Sequence, residues 1–139
     1  MASIFMPAVD INWVALIAAA VINMVIGALW YSPALFGKSW AKLLGKKVGD
    51  MGDANTGYAI SAVGALVQAW IMVHFVRYAG ATTFVKGMIV GFWLWLAFVA
   101  IIMAGATVFE GRKWQIWQIN TGYWLVVLVI NGGLLAAWH

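Results

Sequence analysis

Four long stretches of the sequence carry almost no charged residues, and they constrain the fold more than any other feature does. A helix needs about 20 apolar residues to cross the hydrocarbon core of a bilayer, and each stretch is long enough. The stretches run over residues 11–36, 57–76, 84–109 and 119–138. We therefore expect an all-α integral membrane protein in which four transmembrane helices form a single domain over residues 1–139.

The composition excludes most other kinds of protein. Apolar residues make up 65% of the chain and charged residues only 9%, whereas about a quarter of a soluble domain is charged. The chain therefore has too little polar surface to coat a water-soluble globule. It also has no cysteine, which excludes disulfide scaffolds, thiolate metal sites and cysteine nucleophiles.

The first stretch is interpreted as a retained helix and not as a cleaved signal peptide. Residues 1–7 contain no Lys or Arg, and the apolar run that follows is longer than a typical signal core. Pro33 is expected to bend or stop this helix, because proline lacks a backbone N–H and clashes with the preceding turn.

Basic residues in the connections predict the orientation. One side of the membrane would hold six of them and the other side two, so the positive-inside rule places both termini outside. The six are Lys38, Lys42, Lys46, Lys47, Arg112 and Lys113, and the two are Arg77 and Lys86. Orientation and membrane lipids as partners explain the net charge of +4, so no nucleic-acid partner is needed.

The sequence contains an internal repeat. Asn-Thr-Gly-Tyr occurs at 55–58 and again at 120–123, each time where an even-numbered span is expected to begin. A second motif precedes each copy, at 37–40 and at 111–114. It consists of glycine, a basic residue, any residue and tryptophan, in that order. This order predicts two tandem helical hairpins, 11–76 and 84–138, that enter the membrane in the same direction as a parallel repeat.

The repeat leaves two points open. Each Asn-Thr-Gly-Tyr copy either caps, packs and anchors its helix, or joins the other copy in a paired polar site on the cytoplasmic face. The first hairpin also carries about nine extra residues, 41–49, which form either an amphipathic helix on anionic headgroups or a solvated basic loop.

Polar amides lie inside the predicted spans, where they are costly unless they have a partner or a purpose. Helical periodicity places them on faces with small residues, so they act either as interhelical glue or as the lining of a polar pathway. The amides concerned are Asn23, Gln68 and Asn131, and Asn120, Asn55 and Ser61 are further candidates for the same polar role. The glycines expected to pack helices are Gly27, Gly57, Gly64, Gly87 and Gly91, and Gly105 continues the face of the last two.

Tryptophan is unusually frequent, with ten residues. Six lie near predicted span ends, where the indole N–H reaches water while the ring stays apolar. The other four lie deeper, and helix packing or lipid contact is favoured for them over ligand binding. These four are Trp70, Trp93, Trp95 and Trp124.

The few titratable residues form no recognisable active site. The sequence contains no carboxylate pair on one face, no serine with a plausible histidine base and no Walker-type phosphate loop, so we expect no enzyme, no cofactor and no metal site. His74 is expected to be an interfacial side chain. Glu110 is expected either to form a local ion pair beside Arg112 or to act as a gating carboxylate at the cytoplasmic mouth.

A set of motifs spread along the chain is similar to one known family. The motifs are Asn12-Trp13, Leu29-Trp30-Tyr31-Ser32-Pro33, Leu35-Phe36-Gly37-Lys38, Phe109-Glu110-Gly111-Arg112 and Ile119-Asn120-Thr121-Gly122-Tyr123-Trp124. In combination they resemble a bacterial membrane family catalogued as domain of unknown function 1761, over nearly the whole chain. The resemblance implies a small four-helix inner-membrane protein, and it implies no activity, substrate or catalytic residue.

Three classes of function remain open, and a lipid-acting enzyme has the weakest support among them. Small-residue faces and the many tryptophans favour a homo-oligomeric structural or interaction protein of the membrane. The alternative is a small oligomeric channel or transporter for a neutral solute or ion, lined by the amides. The absence of a carboxylate in the middle of a span argues against proton-antiport chemistry.

Overall fold

The computed structural model describes residues 8–45 and 54–139, and every regular element in this part of the chain is a helix. The elements are α1 (Trp13–Trp30), α2 (Gly37–Leu43), α3 (Ala54–Tyr78), α4 (Phe84–Trp95), a π-helical segment (Leu96–Ala100), α5 (Ile101–Glu110) and α6 (Trp114–Ala137). Four helical stretches in this part are long and apolar enough to cross a membrane: Trp13–Trp30, Asn55–Tyr78, Phe84–Glu110 and Trp114–Ala137. The predicted all-helical class with four candidate spans is confirmed.

Successive spans run in opposite directions. The start of α1 and the ends of α3 and α6 lie together, and we call this the termini end of the bundle. The opposite end, with α2 and the turn between α5 and α6, is the loop end. Cross-helix bonds fix this arrangement: Asn131 of α6 reaches the first half of α1, whereas Trp30 at the end of α1 reaches the first half of α6.

The first span ends earlier than predicted. α1 stops at Trp30, and residues 31–36 form a turn before α2, because the residue before a proline is disfavoured in helical conformation. Gly37 closes this turn by donating to the backbone oxygen of Ser32. A Cβ at Gly37 would lie 2.2 Å from the backbone oxygen of Tyr31, so only glycine fits there.

α2 is a short helix with two unlike faces. Gly37 and Ala41 are buried against the bundle, while Lys38 and Lys42 are exposed one turn apart. The first part of the extra segment 41–49 is therefore helical, and its remainder from residue 46 lies outside the described residues.

α6 is the central helix of the bundle. It packs against α1, α3 and α4, and its contact with α4 is the most extensive in the described structure. Two glycines of α4 make that contact possible. A Cβ on Gly87 would lie 2.0 Å from the backbone oxygen of Gly132, and one on Gly91 would lie 2.1 Å from that of Leu128. The two backbones therefore touch, as in other small-residue helix pairs of membranes.

The face of Gly87 and Gly91 does not continue to Gly105. A Cβ on Gly105 would meet no atom within 4 Å, so this glycine lies outside the α4–α6 contact. The reason is the π-helical segment between α4 and α5, which contributes one extra residue and rotates α5 by about 100° relative to a continuous α-helix. The expectation that Gly105 shares the face of α4 was therefore wrong.

The two ends of the bundle are packed differently. The buried core lies toward the termini end. Its larger side chains are those of Leu16, Met72, Val73, Val76, Leu128 and Leu135. At the loop end, by contrast, all described side chains of α3 from 55 to 64 are exposed, and most of α5 is exposed as well. The spans thus converge at one end and diverge at the other.

The α4–α6 contact leads to a first prediction. Gly87→Ala should lower the free energy of unfolding by about 1–3 kcal/mol, because the added methyl group overpacks a backbone-to-backbone contact. Thermal unfolding in detergent, followed by tryptophan fluorescence, measures this loss. Gly105→Ala is the matched control, and it should keep or slightly raise the stability because alanine favours helix. Equal stability of Gly87→Ala and the wild type would contradict the close contact.

Candidate functional site: a polar network between α1, α3 and α6

Asn23 joins three helices in the middle of the bundle. Its side chain is only 3% exposed, and its Nδ2 donates to Oε1 of Gln68 on α3 over 3.2 Å. The hydroxyl of Tyr123 on α6 donates to Oδ1 of Asn23 and lies 3.1 Å from the Asn23 backbone oxygen. One amide therefore uses both its donor and its acceptor to hold neighbouring helices.

Gly27 makes room for this arrangement. It lies one turn after Asn23, and a Cβ there would come within 3.1 Å of the Tyr123 hydroxyl oxygen. A larger residue would push the tyrosine ring away from α1. Gly27 therefore gives the Tyr123 ring its close position beside α1, and a Cβ there would need the ring to move by a few tenths of an ångström.

The network extends toward the loop end through aromatic residues. The Tyr31 hydroxyl donates to Oδ1 of Asn120 over 2.7 Å, and the Tyr31 and Tyr123 rings meet edge to face at 5.7 Å. Beside them, the Trp30 indole donates to the backbone oxygen of Ile119 over 2.8 Å. The end of α1 is therefore fastened to the first half of α6.

Toward the termini end, Asn131 and Arg77 bind backbone oxygens. Asn131 is 4% exposed, and its Nδ2 donates to Ala19 of α1 over 3.0 Å, while its Oδ1 has no partner among the described residues. Arg77 donates to the backbone oxygen of Leu135 over 3.0 Å. That oxygen belongs to the last turn of α6, where carbonyls lack helical partners and a cation is favourable.

Two tryptophans fasten the third span to α6. The Trp95 indole donates to the backbone oxygen of Thr121 over 2.8 Å, and the Trp117 indole donates to that of Ala100 over 3.0 Å. These bonds involve the residue just before the π-helical segment and the last residue of that segment. Sequence reasoning assigned Trp95 to packing or lipid contact and Trp117 to the interface, and it missed their specific bonds. Backbone acceptors leave no pattern in a sequence, so no signal identified them.

The two Asn-Thr-Gly-Tyr copies occupy different environments. The copy at 55–58 opens α3 as predicted, and its residues are exposed. The copy at 120–123 lies in the second and third turns of α6, which begins at Trp114 and not at the predicted residue 119. There Thr121 is buried and donates to the Trp117 backbone oxygen over 2.6 Å. The expectation that each copy begins a span therefore holds for the first copy only.

His74 and Glu110 lie apart from the network. His74 is 4% exposed, its Nδ1 lies 2.7 Å from the Trp70 backbone oxygen, and its ring packs on Trp70 at 4.3 Å. It is thus buried against α3's own aromatic residues, one turn before Arg77, and its expected place near the membrane interface stays a prediction. Glu110 forms an ion pair of 2.7 Å with Arg112, and both side chains are about half exposed at the loop end.

Apart from Arg77, the site is built from neutral groups. Amides, phenols, indoles and backbone oxygens meet between the helices, and the described residues contain no group of three His, Cys, Asp or Glu side chains that could hold a metal. Bonds of this kind are worth about 1 kcal/mol each between membrane helices. Chemically, the network can hold the spans in register, because nearly all of its polar atoms are already paired.

Comparison with known proteins identifies the family. The model of the family described as "Protein of unknown function (DUF1761)" matches residues 14–136, so the chain belongs to this family. No curated protein and no solved structure matches the chain significantly. The resemblance in the sequence motifs is therefore confirmed.

The network leads to a second prediction. Asn23→Ala should lower the free energy of unfolding by about 1–3 kcal/mol, because it removes the side-chain acceptor of the Tyr123 hydroxyl and leaves the Gln68 oxygen without its donor. In a double-mutant cycle with Gln68→Ala, the coupling energy should be about 1 kcal/mol. Val25→Ala, on the exposed face of α1, serves as the control with little expected change. A coupling energy of zero would show that the Asn23–Gln68 bond contributes nothing to stability.

Proposed function

We propose that this protein is a homo-oligomeric interaction protein of the bacterial inner membrane, and that its subunits meet along α3. The observation that carries the proposal is a stripe of small residues on the free half of that helix. Gly57, Ser61 and Gly64 share one face, and Gln68 continues it. We call these four residues the α3 stripe.

The three small residues of the α3 stripe make no close contact within the described part of the subunit. Among these residues, a Cβ added to Gly57 or Gly64 would meet no atom within 4 Å, and Ser61 is exposed. Inside the same subunit, the Gly87 and Gly91 pair brings two helix backbones into contact. The chain therefore uses small residues for helix pairing, and Gly57 and Gly64 have the same character without a described helix packed on them.

Polar groups along the stripe favour a protein partner over lipid. Gln68 is half-buried near the middle of α3, and its Oε1 accepts from Asn23. The amide nitrogen of Gln68 has no bond among the described residues. Since hydrocarbon offers no hydrogen-bond acceptor, a second helix that supplies one stabilises this position.

A second copy of the chain is the simplest partner. Two α3 helices related by a two-fold axis would place each stripe against the other, so the same surface serves both subunits. Small residues at the crossing allow the backbones to approach, and Ser61 and Gln68 can donate across the interface. A homo-oligomer of this kind needs no additional component.

The pairing of the amides supports this reading over a pathway. Asn23, Gln68 and Tyr123 bond to one another, and Asn131 bonds to α1. Bonded amides act as interhelical glue, whereas a channel or transporter lined by amides would need them to face a passage. Solute flux is therefore the measurement that separates the two functions.

Cross-linking tests the oligomer. The natural chain has no cysteine, so a single Gly57→Cys substitution gives a clean disulfide probe. Oxidation should cross-link Gly57→Cys subunits in nanodiscs, and Gly64→Leu added to this background should reduce the dimer by about tenfold, because a bulky side chain blocks close approach. Ala62→Leu, an exposed small residue on the opposite side of α3, is the matched control and should leave cross-linking unchanged.

Two results would contradict the proposal. One is a monomer in nanodiscs by mass photometry together with no cross-linking at Gly57→Cys. The other is solute or ion flux in proteoliposomes that Asn23→Ala or Asn131→Ala alters while the fold survives, which would favour the transporter alternative.

The proposed orientation has both termini outside. Lys38, Lys42, Arg112 and Lys113 are exposed at the loop end, which supports a cytoplasmic position for that end. Ser39→Cys at the loop end should be labelled only from the cytoplasm by an impermeant maleimide. Thr82→Cys, in the exposed turn between α3 and α4, should be labelled only from the periplasm. The reverse pattern would invert the assignment.

A further inference from the structure

An open depression lies at the termini end of the bundle. It has a volume of about 740 Å³ and is formed by the segment before α1, by Arg77 of α3 and by His139. The segment contributes Ala8, Val9, Asp10, Ile11 and Asn12. The lining thus combines two opposite charges with apolar side chains.

Aromatic side chains place this depression at the level of lipid headgroups. Trp13 begins α1, Tyr78 ends α3 and Trp138 follows α6, and all three are substantially exposed. Tryptophan and tyrosine favour the boundary between hydrocarbon and water. A depression beside the ends of these helices therefore opens where phosphate and amine groups of lipids lie.

Arg77 supplies the positive charge. It is half-buried, and one of its nitrogens donates to the Leu135 backbone oxygen. A guanidinium carries five N–H donors and never accepts, so donors remain for a ligand. Among the described residues, no acidic side chain forms an ion pair with Arg77. The salt bridge found in this part of the chain joins Glu110 and Arg112. A phosphate group, which binds guanidinium through two parallel bonds, fits this position.

Asp10 supplies the negative charge. Its carboxylate is exposed, lines the same depression and forms no ion pair with Arg77 within the described structure. The depression thus presents separated charges of opposite sign. A ligand that matches both has a phosphate and an ammonium group close together. A primary ammonium is favoured over a quaternary one, because it donates hydrogen bonds to the carboxylate.

We propose that this depression binds the headgroup of phosphatidylethanolamine, with the phosphate on Arg77 and the ammonium on Asp10. In this arrangement the glycerol region of the lipid contacts Ala8, Val9 and Ile11. Because these contacts need the glycerol group, the proposed ligand is a membrane lipid and not a free phosphate ester. The site lies at the opposite end of α3 from the first residues of the α3 stripe. It is therefore independent of the proposed oligomer.

Native mass spectrometry of the full-length protein tests the proposal. The delipidated protein is given an equimolar mixture of phosphatidylethanolamine, phosphatidylcholine and phosphatidylglycerol of identical acyl chains. Phosphatidylethanolamine should bind at least about threefold more than either competitor, a preference in the range of one exposed ion pair. Equal binding of the three lipids would overturn the proposal.

Asp10→Asn is the deciding variant, because Asp10 is exposed and its loss leaves the core intact. It should remove the preference over phosphatidylglycerol while the melting temperature is unchanged. Arg77→Gln should weaken phosphatidylethanolamine and phosphatidylglycerol alike. Glu110→Gln, a carboxylate at the loop end, is the matched control and should keep the preference. An unchanged preference in Asp10→Asn would show that the carboxylate does not bind the ammonium.

A soluble headgroup distinguishes the lipid from its free analogue. O-phosphoethanolamine should displace phosphatidylethanolamine only at concentrations about 100-fold higher, because it lacks the glycerol and acyl groups that contact the apolar lining. Competition at equal concentration would contradict the assignment to a lipid.

Discussion

The whole bundle depends on the close approach of helix backbones at α6. Lipid is as apolar as leucine, so helices gain little by burying apolar side chains against one another in a bilayer. Gly87, Gly91 and Gly132 instead let α4 and α6 touch directly. Once this contact exists, Trp95 and Trp117 come within reach of backbone oxygens across the interface. The other spans are then positioned by bonds to the same central helix.

Packing and polarity divide the protein into two zones. Toward the termini end, the small residues Ala15, Ala19 and Ala69 let α1 and α3 close on α6, and Asn131 and Arg77 fasten the helices. Toward the loop end, the first turns of α3 and most of α5 are exposed, while aromatic residues at the end of α1 and Trp117 hold the first half of α6. The buried core therefore lies mainly in the first zone, while the second zone exposes more of its helix surface.

The sequence predicts the spans well because a bilayer imposes one length and one polarity on every crossing helix. It also identified Asn23, Gln68 and Asn131, since an amide inside an apolar run stands out. It could not reveal that Tyr123 joins Asn23, because that pairing depends on how α1 and α6 cross. The π-helical segment was missed too, since Leu-Ala-Phe-Val-Ala has no feature that distinguishes it from ordinary helix. Because this segment was not predicted, the expectation for Gly105 was wrong as well.

The π-helical segment also has an evolutionary consequence. A deletion inside a transmembrane helix normally turns every later side chain away from its neighbours. Here one residue is already in excess between Trp95 and Ile101, so a shortened relative would regain continuous α-helix and rotate α5 toward α6. Gly105 would then join the glycine face of α4. A one-residue deletion within Leu96–Ala100 is thus expected to change the packing of α5 while α4 and α6 keep their glycine contact.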